Sequence, residues 1–309
     1  MRTFAYLGPS GTFTETALDQ VPEAQGANRI PVATVHEALD TVVSGEAEAA
    51  MIAIENSIEG GVTSAQDALA TAPGMRIRSE HLVSVNFSLV VSPGTTLADV
   101  ETVAAHPVAY AQCAKWMAEH LPKAVHLPAA SNVSAARDLG SSVAHAAIST
   151  PRITEVVESL EVLATGIADS SEAQTRFVLV SRDTTLPAQT GADKTSLIVE
   201  LPNDRAGSLL DMLEQFATRG VNLSLIQSRP IGDRLGRYRF VIDLEGHIRD
   251  ERVAAAMLGL KRVSPRVMFL GSYPRADGQR AVVADRFSDE SFTDARDWLR
   301  EIVSEAPAR

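Results

Sequence analysis

Short apolar runs and helically spaced stretches alternate over the first 180 residues of the chain. FAYL (4–7), MIAI (51–54), FSLVV (87–91) and AAIS (146–149) have the length and composition of buried strands. LEVLATGI (160–167) and FVLVS (177–181) add two later ones. Between them, 12–20, 34–43, 107–119 and 131–139 carry apolar residues at helical spacing. Alternation of this kind predicts an open α/β sheet with helices on both faces. Residues 182–193 lack apolar periodicity and read as a linker. A second unit follows: a strand at 195–201, a helix at 206–220 closed by a glycine, and strands at 221–231 and 236–246 about a turn at Gly232. A helix at 249–260 and a strand at 266–271 complete it. The order βαββαβ predicts a ferredoxin-like module. In the tail (288–303), Phe292, Ala295, Trp298, Leu299, Ile302 and Val303 recur at helical spacing and predict one more amphipathic helix.

The 309 residues are 45% hydrophobic and 22% charged, enough apolar material for two cores. A net charge of -11, from 28 basic and 39 acidic residues, argues against non-specific nucleic-acid binding but leaves an anionic small molecule open. The one cysteine, Cys113, excludes an internal disulfide framework and multi-cysteine zinc sites. MRTFAYLG opens directly into a strand-like run, and no run approaches 18 apolar residues. The expectation is a protein without secretory signal or membrane span, placed in the cytoplasm.

Candidate chemistry gathers at strand ends. GPSGTFTE (8–15) follows the first strand and opens a helix; Ser10 and Thr12 suit either a capped turn or an anion site. Its spacing matches neither the dinucleotide fingerprint nor the Walker loop. AIENSIEGG (53–61) brings Glu55, Asn56 and Ser57 to the end of a core strand, where open α/β sheets tend to bind ligands; local capping is the other reading. In HPVAYAQCAKW (106–116), Pro107 marks a helix start, with Gln112 and Cys113 expected mid-helix. Cys113 reads as a small core hydrophobe, and His106 as a structural hydrogen-bonding group within reach of a cleft. HEALD (36–40) lacks the second histidine of a zinc protease. Thr175 and Arg176 precede FVLVS. The guanidinium suits a carboxylate, yet strand alternation sends the two side chains to opposite faces, and a surface ion pair explains the arginine equally well. DRAGSLLDML (204–213) and QSRP (227–230) set a glycine at a helix start near a strand-end arginine. This arrangement suits binding of an amino acid rather than catalysis.

Taken together, GPSGTFTE, IENSIEGG, HPVAYAQC and TRF (175–177) resemble prephenate dehydratase, in that family's order. AGSLLDMLEQFA with QSRP resembles its C-terminal ACT regulatory domain. The resemblance implies a two-lobed, periplasmic-binding-protein-like α/β catalytic region at 1–182 and a linker at 183–193. The ferredoxin-like ACT domain then spans 194–273, and a tail with its helix spans 274–309. It implies a lyase that converts prephenate to phenylpyruvate with loss of water and carbon dioxide, in phenylalanine biosynthesis. It further implies no cofactor or metal, dimers or tetramers, and feedback by an aromatic amino acid, phenylalanine in the family. On this resemblance Thr175 is the residue most closely tied to catalysis, with Arg176, Glu55, Asn56 and Ser57 beside it. Ser10, Thr12 and Arg176 would hold substrate. Ala206, Gly207, Ser208, Leu209, Gln227, Ser228, Arg229 and Pro230 would take the effector. Three stretches depart from the family's usual pattern: Ala173 stands for an Asn, Gln227 for a Glu, and AGSL (206–209) for PGAL.

Prephenate carries two carboxylates and a ring hydroxyl, and its aromatisation supplies the thermodynamic pull. The chain must then hold a dianion and help hydroxide leave. Thr175 is too weak an acid for full proton transfer, so a hydrogen bond that strengthens as charge builds is the role expected of it. Glu55 is the alternative acid if burial raises its pKa. A non-catalytic two-lobed binder fused to an amino-acid sensor is the competing reading. A scaffold would leave the polar strand ends unexplained, and a nicotinamide dehydrogenase would need a glycine fingerprint.

Overall fold

The computed structural model describes residues 1–201, 205–232 and 236–305. The expected alternation is present but divided between two sheets. β1 (Thr3–Leu7), β2 (Asn28–Val32), β3 (Ala49–Asn56), the two-residue β4 (Gly60–Gly61) and β5 (Arg76–Ser84) enter the first. The second is built from β6 (Ser88–Val91), β7 (Thr102–Ala105), β8 (Val125–Pro128), β9 (Ala146–Ser149) and β10 (Glu161–Thr165), in the order β10-β6-β9-β7-β8. The chain then returns to the first sheet through β11 (Gln174–Ser181), inserted between β3 and β5 in the order β2-β1-β3-β11-β5. Both sheets are mixed: β1 runs parallel to β2 and β3, and β7 parallel to β8 and β9, while β6 is antiparallel to β9 and β10. The two passages between the sheets are tied by main-chain bonds, Val85 N–H to Ala173 O (2.7 Å) and Ile167 N–H to Phe87 O (3.2 Å).

The helices of this region are α1 (Phe13–Asp19), α2 (Val35–Ser44), α3 (Thr63–Thr71), α4 (Pro107–Ala111), α5 (Ala114–His120), α6 (Asn132–Arg137) and α7 (Ile153–Val156). The single helix expected over 107–119 is broken: Gln112 caps α4 and Cys113 precedes α5, so neither is mid-helix. Core clusters follow the sheet division. Phe4, Tyr6, Leu18, Met51 and Phe177 pack on the first sheet, and Phe87, Leu89, Val103, Cys113 and Ile148 on the second.

The later part forms the expected module: β12 (Asp193–Glu200), α8 (Ser208–Ala217), β13 (Leu223–Pro230), β14 (Tyr238–Glu245), α9 (Glu251–Val263) and β15 (Arg266–Pro274). Its antiparallel sheet has the order β13-β14-β12-β15, and Leu197, Met212, Phe216, Ile242, Val253 and Leu260 fill its core. The tail helix is α10 (Asp289–Glu305). Its arginine Arg296 holds Glu251 of α9, while Trp298, Leu299, Ile302 and Val303 stay exposed. The chain divides into two compact units, 1–68 with 81–179, and 69–80 with the chain from Val180 onward. The short segment joins the second unit for a physical reason. Glu80 is buried there, accepting from Lys194 Nζ (2.8 Å) and from the Ala276 N–H (3.0 Å). A buried carboxylate requires such partners.

Candidate active site

A cleft of about 310 Å³ opens in the first unit. Its lining follows one rule: most residues stand at or just past the carboxyl ends of strands. Leu7 and Gly8 end β1, Ala53 lies late in β3, His106 follows β7, Ala130–Asn132 follow β8, and Thr150 follows β9. Both sheets therefore contribute, as expected of ligand sites in open α/β sheets. Thr175 and Phe177 of β11, and Phe13 of α1, complete the first sheet's wall. Phe13 is held edge-on against Phe87 (5.7 Å between centroids, 76°).

The GPSGTFTE loop is organised by Glu15. Its buried carboxylate accepts from the Ser10 hydroxyl (2.8 and 3.1 Å), the Gly11 N–H (2.6 Å) and the Tyr6 hydroxyl (3.4 Å), with Arg29 at 3.9 Å. Gly11 turns at φ +96°, a conformation that disfavours a side chain, and this aims its N–H at the carboxylate. Burial and the Glu15 charge together raise the Tyr6 pKa. Thr12 caps α1: its hydroxyl donates to Leu7 O (3.0 Å) and accepts the Glu15 N–H (3.4 Å). Thr12 lines the cleft, whereas Ser10 is spent on Glu15 and is not among the lining residues.

The polar end of β3 meets the start of β11. Asn56 Nδ2–H donates to Thr175 Oγ1 (3.0 Å). The amide orientation follows from its other end, where Oδ1 accepts the N–H groups of Ile58 (2.9 Å) and Glu59 (3.3 Å). Ser57 joins the same ends: its N–H donates to Gln174 O (2.9 Å) and its hydroxyl accepts the Gln174 N–H (3.0 Å). Arg176 behaves as strand alternation requires. Thr175 and Phe177 face the cleft, and Arg176 is not among its lining residues; its Nε donates to Glu55 Oε2 (2.8 Å). The structure thus brings Thr175, Asn56 and Ser57 together, pairs Arg176 with Glu55, and gives the cleft no arginine or lysine among the residues that line it.

On the second sheet's side, Asn132 Oδ1 accepts the His106 N–H (3.0 Å), and His106 Nδ1 accepts the Val108 N–H (3.3 Å). Thr150 donates to Gly11 O (2.6 Å), joining this wall to the first sheet's loop. Gln112 and Cys113 are both buried. Burial pushes the Cys113 thiol up to about 12, with Asp169 adding to the effect, so it is no nucleophile near neutral pH. Sequence reasoning did not assign Asn132, Thr150 or Phe13 to the site. The apolar pattern does not announce β8, which hides Asn132; Thr150 follows the recognised run AAIS and Phe13 lies within GPSGTFTE, so for these two the only signal is position past a strand. Among the described residues, no three His, Cys, Asp or Glu side chains gather so as to hold a metal ion.

Residues 4–185 match the prephenate dehydratase family, and residues 195–261 match the ACT domain. The chain belongs to the prephenate dehydratase family. It is 41% identical over 303 residues to a prephenate dehydratase of Amycolatopsis methanolica, covering 98% of each chain. It is 44% identical over 315 residues to that of Mycobacterium tuberculosis, covering 99% of this chain and 96% of the relative. A prephenate dehydratase of Arthrobacter aurescens, solved in complex with L-Phe, superposes with a TM-score of 0.93 at 51% identity, covering 98% of this chain and 99% of that one. The chain is accordingly an enzyme, a carbon–oxygen lyase with prephenate dehydratase activity in phenylalanine biosynthesis. Its feedback regulation runs through the ACT domain.

In the ACT domain, Gly207 stands at the N-cap of α8 with φ +87°, a position that suits glycine. Ser208 and Leu209 help line a hollow of about 190 Å³ with Leu201, Arg205 and Tyr238. Ala206 and Gly207 lie between Arg205 and Ser208 in sequence and are not among its lining residues. Gln227, Ser228, Arg229 and Pro230 lie in β13, paired in register with Val241, Phe240, Arg239 and Tyr238, and are not among its lining. Two of those strand partners, Phe240 and Tyr238, themselves line the hollow. Residues 204 and 233–235, part of the helix-start and turn stretches read from sequence, lie outside the described residues. Among the described residues, no helix is long and apolar enough to cross a membrane.

Proposed function

We propose that the cleft is the prephenate site and that the Thr175 hydroxyl assists departure of the ring hydroxyl. The bond from Asn56 Nδ2 to Thr175 Oγ1 (3.0 Å) carries this reading. Because Oγ1 accepts from Asn56, the threonine's own proton is left to donate elsewhere, and the side chain lines the cleft. As the C1–carboxylate bond breaks, its electron pair enters the ring and the C4–O bond breaks. Negative charge then builds on the leaving oxygen. A donor pre-aimed at that oxygen lowers the barrier without giving up its proton in full. Asn56 is the positioning residue. Ser57 and the Arg176–Glu55 pair hold the two strand ends in register, while Thr12 and Ser10 shape the opposite loop. Phe13, Phe177 and Val133 supply an apolar surface for the ring.

The same reading takes the first unit as a two-lobed, binding-protein-like region, supported by two sheets that share one cleft. The domain limits follow as 1–182, a linker at 183–193, 194–273 and a tail at 274–309. Phenylalanine is the proposed effector, on the strength of the L-Phe complex of the Arthrobacter relative. Self-association as a dimer or tetramer and a cytoplasmic location complete the proposal.

Replacing Thr175 by Val keeps the shape and deletes the donor. The expected result is a kcat lowered about 10²- to 10³-fold with KM little changed, and partial recovery in Thr175→Ser. A near-normal kcat in Thr175→Val, in steady-state turnover of prephenate, overturns the assignment.

A further inference from the structure

The tail helix α10 is anchored at its root and bare along the rest of its length. Asp289 Oδ1 accepts the Glu251 N–H at 2.8 Å, and Arg296 holds the Glu251 carboxylate at 2.6 Å. Phe287, just before the helix, packs so closely on Gly220 that a Cβ there would lie 2.2 Å from its ring. These contacts fix the start of α10 on the ACT module. From Thr293 to Ser304 every residue is exposed. Among them Trp298, Leu299, Ile302 and Val303 are 45 to 66% exposed and share one face with Ala295. Single exposed apolar residues are ordinary, but four large ones contiguous on one helix face mark an interaction surface. The helix also lies beyond residue 261, where the ACT match ends, so neither matched domain accounts for it.

Charge selects the occupant. At about 100° of rotation per residue, Asp294 and Glu301 fall beyond the Trp298 edge of the apolar face, and Arg296 and Arg300 beyond the Val303 edge. Arg296 is engaged by Glu251, while Arg300 meets Asp297 at 2.6 Å in a largely exposed pair of little strength. A face with one acidic and one basic edge is complementary to its own copy. Parallel helices related by a two-fold axis set each acidic edge against the partner's basic edge, whereas antiparallel ones set like against like. We propose that α10 pairs with α10 of a second copy of this chain, parallel and face to face, about Ala295, Leu299 and Ile302. The pairing removes the exposed apolar face from water on both copies at once. This rests on the self-association proposed above, to which it gives a surface, and not on the reading of the cleft.

The one native cysteine, Cys113, is buried, so cysteines introduced on α10 report on the helix alone. In a parallel pair each central position lies opposite its own copy, within the Cα separation that a disulfide tolerates. Mild oxidation of the full-length variants Ala295→Cys and Leu299→Cys is expected to give a disulfide-linked dimer from both. Asp297→Cys, on the opposite face of the helix, gives none. In sedimentation equilibrium, Leu299→Glu combined with Ile302→Glu raises the dissociation constant by about a hundredfold or more, with an unchanged circular dichroism spectrum. Arg300→Glu raises it about tenfold, and adding Glu301→Arg, which exchanges the two edges, recovers most of that loss. A dimer from only one of the two cysteines means an antiparallel pair and overturns the proposal. So does an unchanged dissociation constant in the glutamate double variant. If the parent assembles yet neither cysteine crosslinks, this proposal fails and self-association through another surface stands. A parent that sediments as a monomer removes both.

Discussion

A threonine hydroxyl is an unremarkable group until something else fixes its proton. For Thr175 the fixing group is Asn56, 119 positions away in sequence, whose own orientation is set by the main-chain N–H groups of Ile58 and Glu59. No reading of TRF alone could supply that. Arg176 illustrates the reverse case, since alternation along β11 anticipates that it faces away from Thr175, and the side chain meets Glu55. Cys113 is legible from sequence as a buried hydrophobe, and its titration adds a test. The folded protein retains the thiol proton up to about 12, whereas an exposed thiol loses it near 9.0. Its contribution to stability is thus full below pH 9 and is lost as pH rises from 9 toward 12. Accordingly, native protein resists alkylation at pH 8 until denaturant is added, and in Cys113→Ala the alkaline decline in the unfolding midpoint is shallower than in the parent. Rapid alkylation of the native protein at pH 8 would contradict the burial argument.

Elements with strong apolar runs were readable; edge elements were not. β9 coincides with AAIS, and the βαββαβ order of the second unit appears in full. β2 (NRIPV) and β8 (VHLP) lie at sheet edges, half exposed and carrying a proline, so they lack the signature of a buried strand. β7 (TVAA) is short and alanine-rich. The break at Gln112 in the expected helix over 107–119 has no glycine or proline to announce it. The GPSGTFTE element is held by one carboxylate with three donors, which makes it fragile to a change of charge. Glu15→Gln removes one acceptor and adds a donor, leaving a buried group unpaired at a cost of about 1–3 kcal/mol. A corresponding loss in denaturant-measured stability is expected, together with a lower kcat/KM because the loop forms a cleft wall. Parent-like stability would mean that Glu15 does not organise the loop.

For the molecule as a whole, regulation demands that binding at one module alter binding at another, and such coupling is reciprocal. Phenylalanine is expected to inhibit prephenate turnover more strongly than tyrosine or tryptophan, and phenylpyruvate to weaken phenylalanine binding by the same factor as phenylalanine weakens that of phenylpyruvate. Calorimetric titration of each ligand with and without the other checks this; equal affinities in all arms would place the regulation elsewhere. The amino-acid sequence by itself determined the local periods, the βαββαβ order, the burial of FVLVS and the stretches that carry polar groups to strand ends, because these depend on neighbours a few residues apart. Only the tertiary structure decided that the alternating region forms two sheets and that β11 returns to lie beside β3. That return places Thr175 on the cleft beside Asn56 and Arg176 on Glu55. Pairing of strands more than a hundred residues apart is a long-range choice, made by packing of whole faces rather than by any local pattern.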